Sequence, residues 1–289
     1  MIMQIHLRKM DILLVGLASL LLLILGIIGW FVLDSQVLIL SLSIVLFLIL
    51  FFQIELYRRR SSFYKEQALF YQKQASFYQT QEQNYKQIES LMYMLSVIKL
   101  RRPLPLMRNW SVSPDHMNII ISTIMNQKPK IILECGSGVS TLLMSYCVEN
   151  LKQGYIWALD HDKKYANISK ENLTSHQLEN VATIIHAPLK EIHIHGKSWL
   201  WYDTKQLQNI EPIDLLVIDG PPGKTQRMAR YPALPQLINS LNDNAIIILD
   251  DGAREDEKNI VKAWLKEFKN FRYEWYDTEK GTVILKMGV

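Results

Sequence analysis

The apolar positions of this chain follow three unlike patterns. Residues 12–33 run for 22 positions without a charge, and residues 35–54 form a second uncharged run, separated from the first only by Asp34. As a helix rising 1.5 Å per residue the first run reaches about 33 Å, enough to cross a bilayer core of about 30 Å. It is too long for the apolar part of a signal peptide, and Trp30-Phe31 stands near its end instead of a small-residue cleavage site. Asp34-Ser35-Gln36 leaves room only for an antiparallel turn. The pattern predicts a transmembrane hairpin, with spans at 12–33 and 36–54 inside a segment 1–57. Arg8 and Lys9 precede the first span and Arg58-Arg59-Arg60 follow the second. Basic flanks of this kind place both termini on the cytoplasmic side of an inner membrane.

The second pattern repeats every seven residues. Phe63-Tyr64, Phe70-Tyr71 and Phe77-Tyr78 recur in register, followed by Asn84-Tyr85. On a helix Tyr64, Ala68, Tyr71, Ala75 and Tyr78 form one stripe with the phenylalanines along its edge. No Pro or Gly interrupts residues 55–102, so the spacing predicts a stalk helix over 58–102. Two readings of the stripe stand open. One is a homo-oligomeric coiled coil through residues 63–90, although Gln recurs three residues after each Tyr, where a coiled coil prefers Leu. The other is an amphipathic helix lying on the membrane or on the following domain.

After Pro103, Pro105 and Pro114 short apolar strands alternate with polar helical stretches, and the region 103–289 reads as one domain. Strands are predicted at 130–135, 155–160, 182–186, 214–219 and 245–250. Helices are predicted at 117–126, 141–149, 163–175, 234–241 and 255–268, and a closing antiparallel hairpin at 273–277 and 282–286. Alternation of this kind means an α/β fold with a doubly wound parallel sheet.

Composition sharpens this division. Hydrophobic residues make up 49% and charged residues 21%, which excludes a disordered or collagen-like chain. Residues 1–110 hold 12 Lys and Arg against 6 Asp and Glu, so the net charge of +4 comes from the membrane-flanking part. The remainder holds 20 against 22, and no nucleic-acid partner is implied. Cys135 and Cys147 form no disulfide framework. His186, His193 and His195 lack the spacing of a zinc site.

In a doubly wound sheet the ligand lies beyond the carboxyl ends of the strands, so the residues there carry the chemistry. The first strand runs into Glu134-Cys135-Gly136-Ser137-Gly138-Val139-Ser140-Thr141, whose small residues let backbone amides approach a bound molecule. A dinucleotide fingerprint would require Gly at 141, where Thr stands, which disfavours an NAD-dependent oxidoreductase. Asp160 ends the second strand, placed to accept hydrogen bonds from ribose hydroxyls, while Asp162 serves to cap the following helix. Asp219 ends the fourth strand and Asp250-Asp251 the fifth. Neighbouring strands lie about 4.8 Å apart, so the three carboxylates converge.

The ordered set ILECGSGVST, ALDHD, IDLLVIDGPPG and IIILDDGAREDE, followed by the hairpin, resembles the class I S-adenosylmethionine-dependent methyltransferases over residues from about 110 to the end. The resemblance implies a Rossmann-like sheet of order 3-2-1-4-5-7-6. It implies that Glu134, Gly136, Ser137, Gly138 and Ser140 hold the methionine end of S-adenosylmethionine and Asp160 its ribose, with His161 and Ala187 beside the adenine. The acidic set further resembles the catechol and caffeoyl-CoA O-methyltransferases, which implies Mg²⁺, Mn²⁺ or Ca²⁺ on Asp219, Asp250 and Asp251. There are departures: Asp251 stands where that subfamily has Asn, and Pro222 where it has a catalytic Lys. Lys224 and Arg230 are the nearest cationic candidates beside Asp219. Without a metal, Asp219 binds cofactor or acceptor through hydrogen bonds and Asp250 or Asp251 caps the next helix.

The expected activity is O-methylation of a membrane-proximal acceptor, a lipid-linked saccharide or small molecule. The VIDGPPG and LDDGARE segments resemble bacterial proteins of surface-polysaccharide assembly. The alternatives are a non-catalytic, cofactor-binding membrane scaffold and, less favoured, the oxidoreductase.

Overall fold

The computed structural model describes residues 14, 16–18, 20–29, 35–108, 111–207 and 210–287. The chain forms two compact units, Met1–Thr80 and Gln81–Val289. In the first unit the described residues between 14 and 29 are helical. The rest of the first expected span, its Asp34 turn, and Arg8 and Lys9 lie outside the described residues. Helix α1 spans Ser35–Val97 without a break, so the second apolar run and the stalk are one helix of 63 residues. Its most apolar window has mean hydropathy 2.5 and no buried residue, and the helix is long and apolar enough to cross a membrane. The expected stalk 58–102 is not a unit of its own. Residues 81–97 belong to the second unit, where Gln87 and Met94 are buried, and the helix stops at Val97, ahead of Pro103.

The second unit contains β1 (Ile131–Cys135), β2 (Tyr155–Asp160), β3 (Ala182–His186), β4 (Leu189–Ile194), β5 (Lys197–Tyr202), β6 (Ile213–Ile218), β7 (Leu241–Leu249), β8 (Phe271–Tyr276) and β9 (Thr282–Met287). Its helices are α2 (Pro114–Gln127), α3 (Val139–Leu151), α4 (Lys163–Ser175), α5 (Ala233–Leu237) and α6 (Glu255–Glu267). Seven strands form a sheet of order β3-β2-β1-β6-β7-β9-β8. The pairs from β3 to β7 are parallel, and β9 runs antiparallel to both β7 and β8. With β4 and β5 set aside, this is the expected order 3-2-1-4-5-7-6.

The apolar strands form because both of their faces are covered. Ile132 on β1 joins a core with Met117 of α2, Leu143 of α3 and Ala166 of α4. Its neighbours Ile131, Leu133 and Cys135 point the other way, into a core with Trp201 of β5, Leu234 of α5 and Trp264 of α6. The antiparallel pair β4–β5, unpredicted from the sequence, supplies part of this second layer. Its turn is His195-Gly196, with φ of 50° and 73°, as a two-residue hairpin turn of right-handed twist requires. His193 therefore lies on a strand and His195 in a turn.

Register decides where the site lies. Cys135 pairs with Leu159 and Ile218, and Ile218 with Leu249. The next residues, Gly136, Asp160, Asp219 and Asp250, thus line one edge of the sheet, Asp160 as the last residue of β2.

Candidate active site

The first wall of the site is the loop between β1 and α3. Gly136 has φ of 122°, a conformation that side chains other than glycine's avoid. A methyl group added at Gly138 would meet no atom within 4 Å, so the loop faces open space. Glu134, fully buried, braces the loop from below: it accepts hydrogen bonds from the Ser140 and Thr141 hydroxyls in the first turn of α3. Burial, against these two donors, pushes its carboxyl up to about 7. Glu134, Ser140 and Thr141 are thus joined by hydrogen bonds, and the backbone at Gly138 borders open space.

Asp160 follows at the end of β2, almost fully buried. Its carboxylate accepts hydrogen bonds from Ser137 Oγ (2.6 Å) and the Asp162 backbone N–H (2.9 Å). Asp162 caps α4 by accepting from the N–H groups of Lys164 and Tyr165, which leaves Asp160 to the site. His161, half-buried, has Nδ1 3.7 Å from Asp160 Oδ1. Ala187 is buried and donates its N–H to the Asp160 carbonyl at 2.8 Å, tying β3 to the edge.

The carboxylates of Asp219, Asp250 and Asp251 converge as expected, with an oxygen of each within 4.8 Å of the others. The cation among them is the guanidinium of Arg230, only 3% exposed. Its Nη2 donates to Asp219 Oδ1 (3.1 Å), Asp251 Oδ2 (2.6 Å) and the Asp219 carbonyl (2.7 Å), and its Nη1 to the Asp250 carbonyl (2.8 Å). Arg254 Nη1 adds a contact to Asp251 Oδ2 at 2.8 Å. Lys224 is exposed on the loop that follows Gly220. Helix α6 is capped by neither Asp250 nor Asp251: Arg254 stands at its N-cap.

Burial and the neighbouring charge of Asp250 hold Asp219 well above the usual carboxylate range. Asp250 is held below that range. Burial opposes this, but His116, Arg230 and Lys280 together outweigh it. Asp219, with 25% of its side chain exposed, is the member that faces outward; both oxygens of Asp250 and Oδ1 of Asp251 are buried without a hydrogen-bond partner.

Three residues here escape sequence reasoning. His116 of α2 is fully buried, with Nδ1 2.6 Å from Thr282 Oγ1 and 3.5 Å from Asp250 Oδ1. A lone His on an apolar helix face carries no signal of such a role. Tyr202, from the unpredicted hairpin, packs its hydroxyl against Gly220, leaving no room for a side chain at that position. Glu257 of α6 lies 3.8 Å from Arg230 Nε and completes the buried acidic ring.

A family model described as a methyltransferase domain matches residues 133–252, the stretch from Glu134 through Asp251. The structure of the SAH-bound methyltransferase PaMTH1 from Podospora anserina is similar with a TM-score of 0.50 at 18% identity, covering 70% of this chain and 87% of that one. The fold is that of the class I S-adenosylmethionine-dependent methyltransferases. An O-methyltransferase from Bacillus cereus in complex with SAH matches at 14% identity and a TM-score of 0.48, over 69% of this chain and 89% of that one. No curated protein sequence matches the chain.

The residues fit the cofactor that this fold implies. The open space beyond Gly138 admits a ligand against the loop backbone, and Asp160 keeps lone pairs for hydroxyl donors.

Proposed function

We propose that the chain is a membrane-anchored S-adenosylmethionine-dependent O-methyltransferase whose acceptor is a hydroxyl of a membrane-proximal molecule, a lipid-linked saccharide or a small molecule. The observation that carries the reading is the single sheet edge holding the open Gly136–Gly138 loop, Asp160 and the outward-facing Asp219. The loop backbone and Asp160 bind S-adenosylmethionine, with His161 and Ala187 at its adenine side. The cofactor supplies an electrophilic methyl group on a sulfonium. Asp219, the outward-facing carboxylate of the cluster, accepts the acceptor's hydroxyl proton as general base. Arg230 holds Asp219 in place through the carboxylate and the backbone carbonyl together. The apolar part of α1 supports the anchoring.

The test is transfer of labelled methyl from S-adenosylmethionine into the lipid-extractable fraction of membranes bearing the full chain. Asp219→Asn is expected to lower the rate by about 10²–10⁴-fold, in the range of lost proton-transfer catalysis. Label recovered on nitrogen or carbon, and not in a base-stable ether, would overturn the oxygen assignment. Protein released from membranes by alkaline carbonate would overturn the anchor.

The partnerless oxygens of Asp250 and Asp251 favour a second reading of the acidic cluster, in which a divalent cation joins Arg230. Asp219, Asp250 and Asp251 would hold it, and all-oxygen ligation suits Mg²⁺, Mn²⁺ or Ca²⁺. Such an ion supplies charge that stabilises a deprotonated acceptor oxygen. Calorimetric titration with Mg²⁺ decides: heat that disappears in Asp250→Asn supports the ion, and no heat leaves the cluster to its arginines, Arg230 and Arg254.

A further inference from the structure

The seven-residue repeat of α1 is not absorbed by any part of the catalytic reading. Its six paired rings, Phe63, Tyr64, Phe70, Tyr71, Phe77 and Tyr78, are each 42–63% exposed. Set on a heptad with Tyr64, Tyr71 and Tyr78 at position a, the repeat places Gln67, Gln74 and Gln81 at d, Ala68 and Ala75 at e, and Phe63, Phe70 and Phe77 at g. Charge then segregates. Between 61 and 81 the charged residues are Lys65, Glu66 and Lys73, all at b or c, and a, d, e and g carry none. Arg60 and Glu82, at the neighbouring d and e positions, bound the uncharged face at its two ends.

A helix face kept free of charge over three heptads and left exposed among the described residues needs a cover. The period identifies it. A strict seven-residue repeat drifts about 20° per heptad on a straight helix, and is satisfied by winding around a helix of the same repeat. A second copy of this chain has that repeat by construction. Direction follows from polarity: only a parallel pair sets the apolar part of α1 against its own counterpart, away from Arg58, Arg59 and Arg60. The area is adequate. Half-burying six rings of about 150–250 Å² each removes roughly 450–750 Å² per copy, near the about 800 Å² per partner of a standard interface. In an in-register parallel pair each Gln meets its own counterpart, and a primary amide both donates and accepts, so each Gln layer satisfies itself across the pair.

We propose that residues 61–81 of α1 form a parallel, in-register homodimeric coiled coil with Tyr at a and Gln at d. This stands apart from the enzymatic reading and does not depend on it.

The experiment uses the full chain in mild detergent, with single cysteines introduced on the repeat; Cys135 and Cys147 are buried and stay silent. Under mild oxidation Gln74→Cys, at d, is expected to give a disulfide-linked dimer in most of the protein, and Gln72→Cys, at b, less than a tenth as much. Light scattering is expected to give a protein mass of two chains for the native sequence and of one chain when Tyr64, Tyr71 and Tyr78 are replaced by Ser. Equal cross-linking at 72 and 74, a native mass of one chain, or a two-chain mass that survives the triple substitution would each overturn the proposal. Because the cysteine pair leaves all six aromatic residues in place, the seam is tested even if the triple variant misfolds.

Discussion

At the scale of single residues, the site is a set of buried ionisable groups, some paired and some, such as both oxygens of Asp250, without a hydrogen-bond partner. Glu134 is a carboxyl whose folded value, about 7, lies above its ordinary 4.5. Between those values the folded state keeps a proton that the unfolded chain has lost. Its contribution to stability is therefore full below about pH 4.5 and declines as pH rises through 7, by on the order of 3 kcal/mol. Denaturant midpoints of the native protein should fall across that window more steeply than those of Glu134→Gln; parallel profiles would refute the shift. Arg230 is the opposite case. Replacing it with Met leaves the outward-facing Asp219 and the buried Asp251 without their shared cation, a loss of about 3–5 kcal/mol, read as a lowered unfolding midpoint. The carboxylates were legible in the sequence because each directly follows an apolar strand. The interior role of Arg230 was not, because its partners come from two strands and nothing in Met228-Ala229-Arg230-Tyr231 distinguishes a buried guanidinium from a surface one.

At the scale of elements, one carboxylate gathers donors from the end of α1, from α2 and from the β8–β9 turn. Asp115, in the first turn of α2, accepts hydrogen bonds from Gln87 Nε2 of α1 (2.7 Å), Ser113 Oγ (2.6 Å), the His116 N–H (2.8 Å) and the Glu279 N–H in the β8–β9 turn (2.6 Å). That turn in turn accepts from the Gly252 and Ala253 N–H groups, next to Asp250 and Asp251. Asp115→Ala should lower stability by about 2–4 kcal/mol, more than a surface aspartate, because several donors lose their acceptor together. A fragment beginning at residue 81 should likewise be more stable than one beginning at 102, which lacks the fully buried Met94; the difference, read by thermal unfolding, should reach about 2–5 kcal/mol. Equal midpoints would show that 81–97 contributes nothing to the unit. The strands of the sheet were readable because their buried runs are short and end in polar residues. The β4–β5 pair was not, since the face that carries Ile192, Ile194, Trp199 and Trp201 is interrupted by Lys190 and Lys197, and the His195-Gly196 turn is weaker than the Asn-Gly or Asp-Gly signal.

At the scale of the whole molecule, one continuous helix joins an apolar segment, a bare aromatic seam and the unit that carries the site. The division of labour was visible in the three hydrophobic patterns. That the last turns of the stalk belong to the catalytic unit was not, because Gln87 and Met94 look no different in sequence from the exposed residues around them. The central claim is that the sheet edge from Gly136 to Asp219 binds S-adenosylmethionine. Isothermal calorimetry of the full chain in detergent tests it most directly. We predict one site per chain with micromolar affinity, weakened at least tenfold by Asp160→Ala and retained by Asp250→Ala. No binding heat from protein shown to be folded, or affinity unchanged in Asp160→Ala, would contradict it.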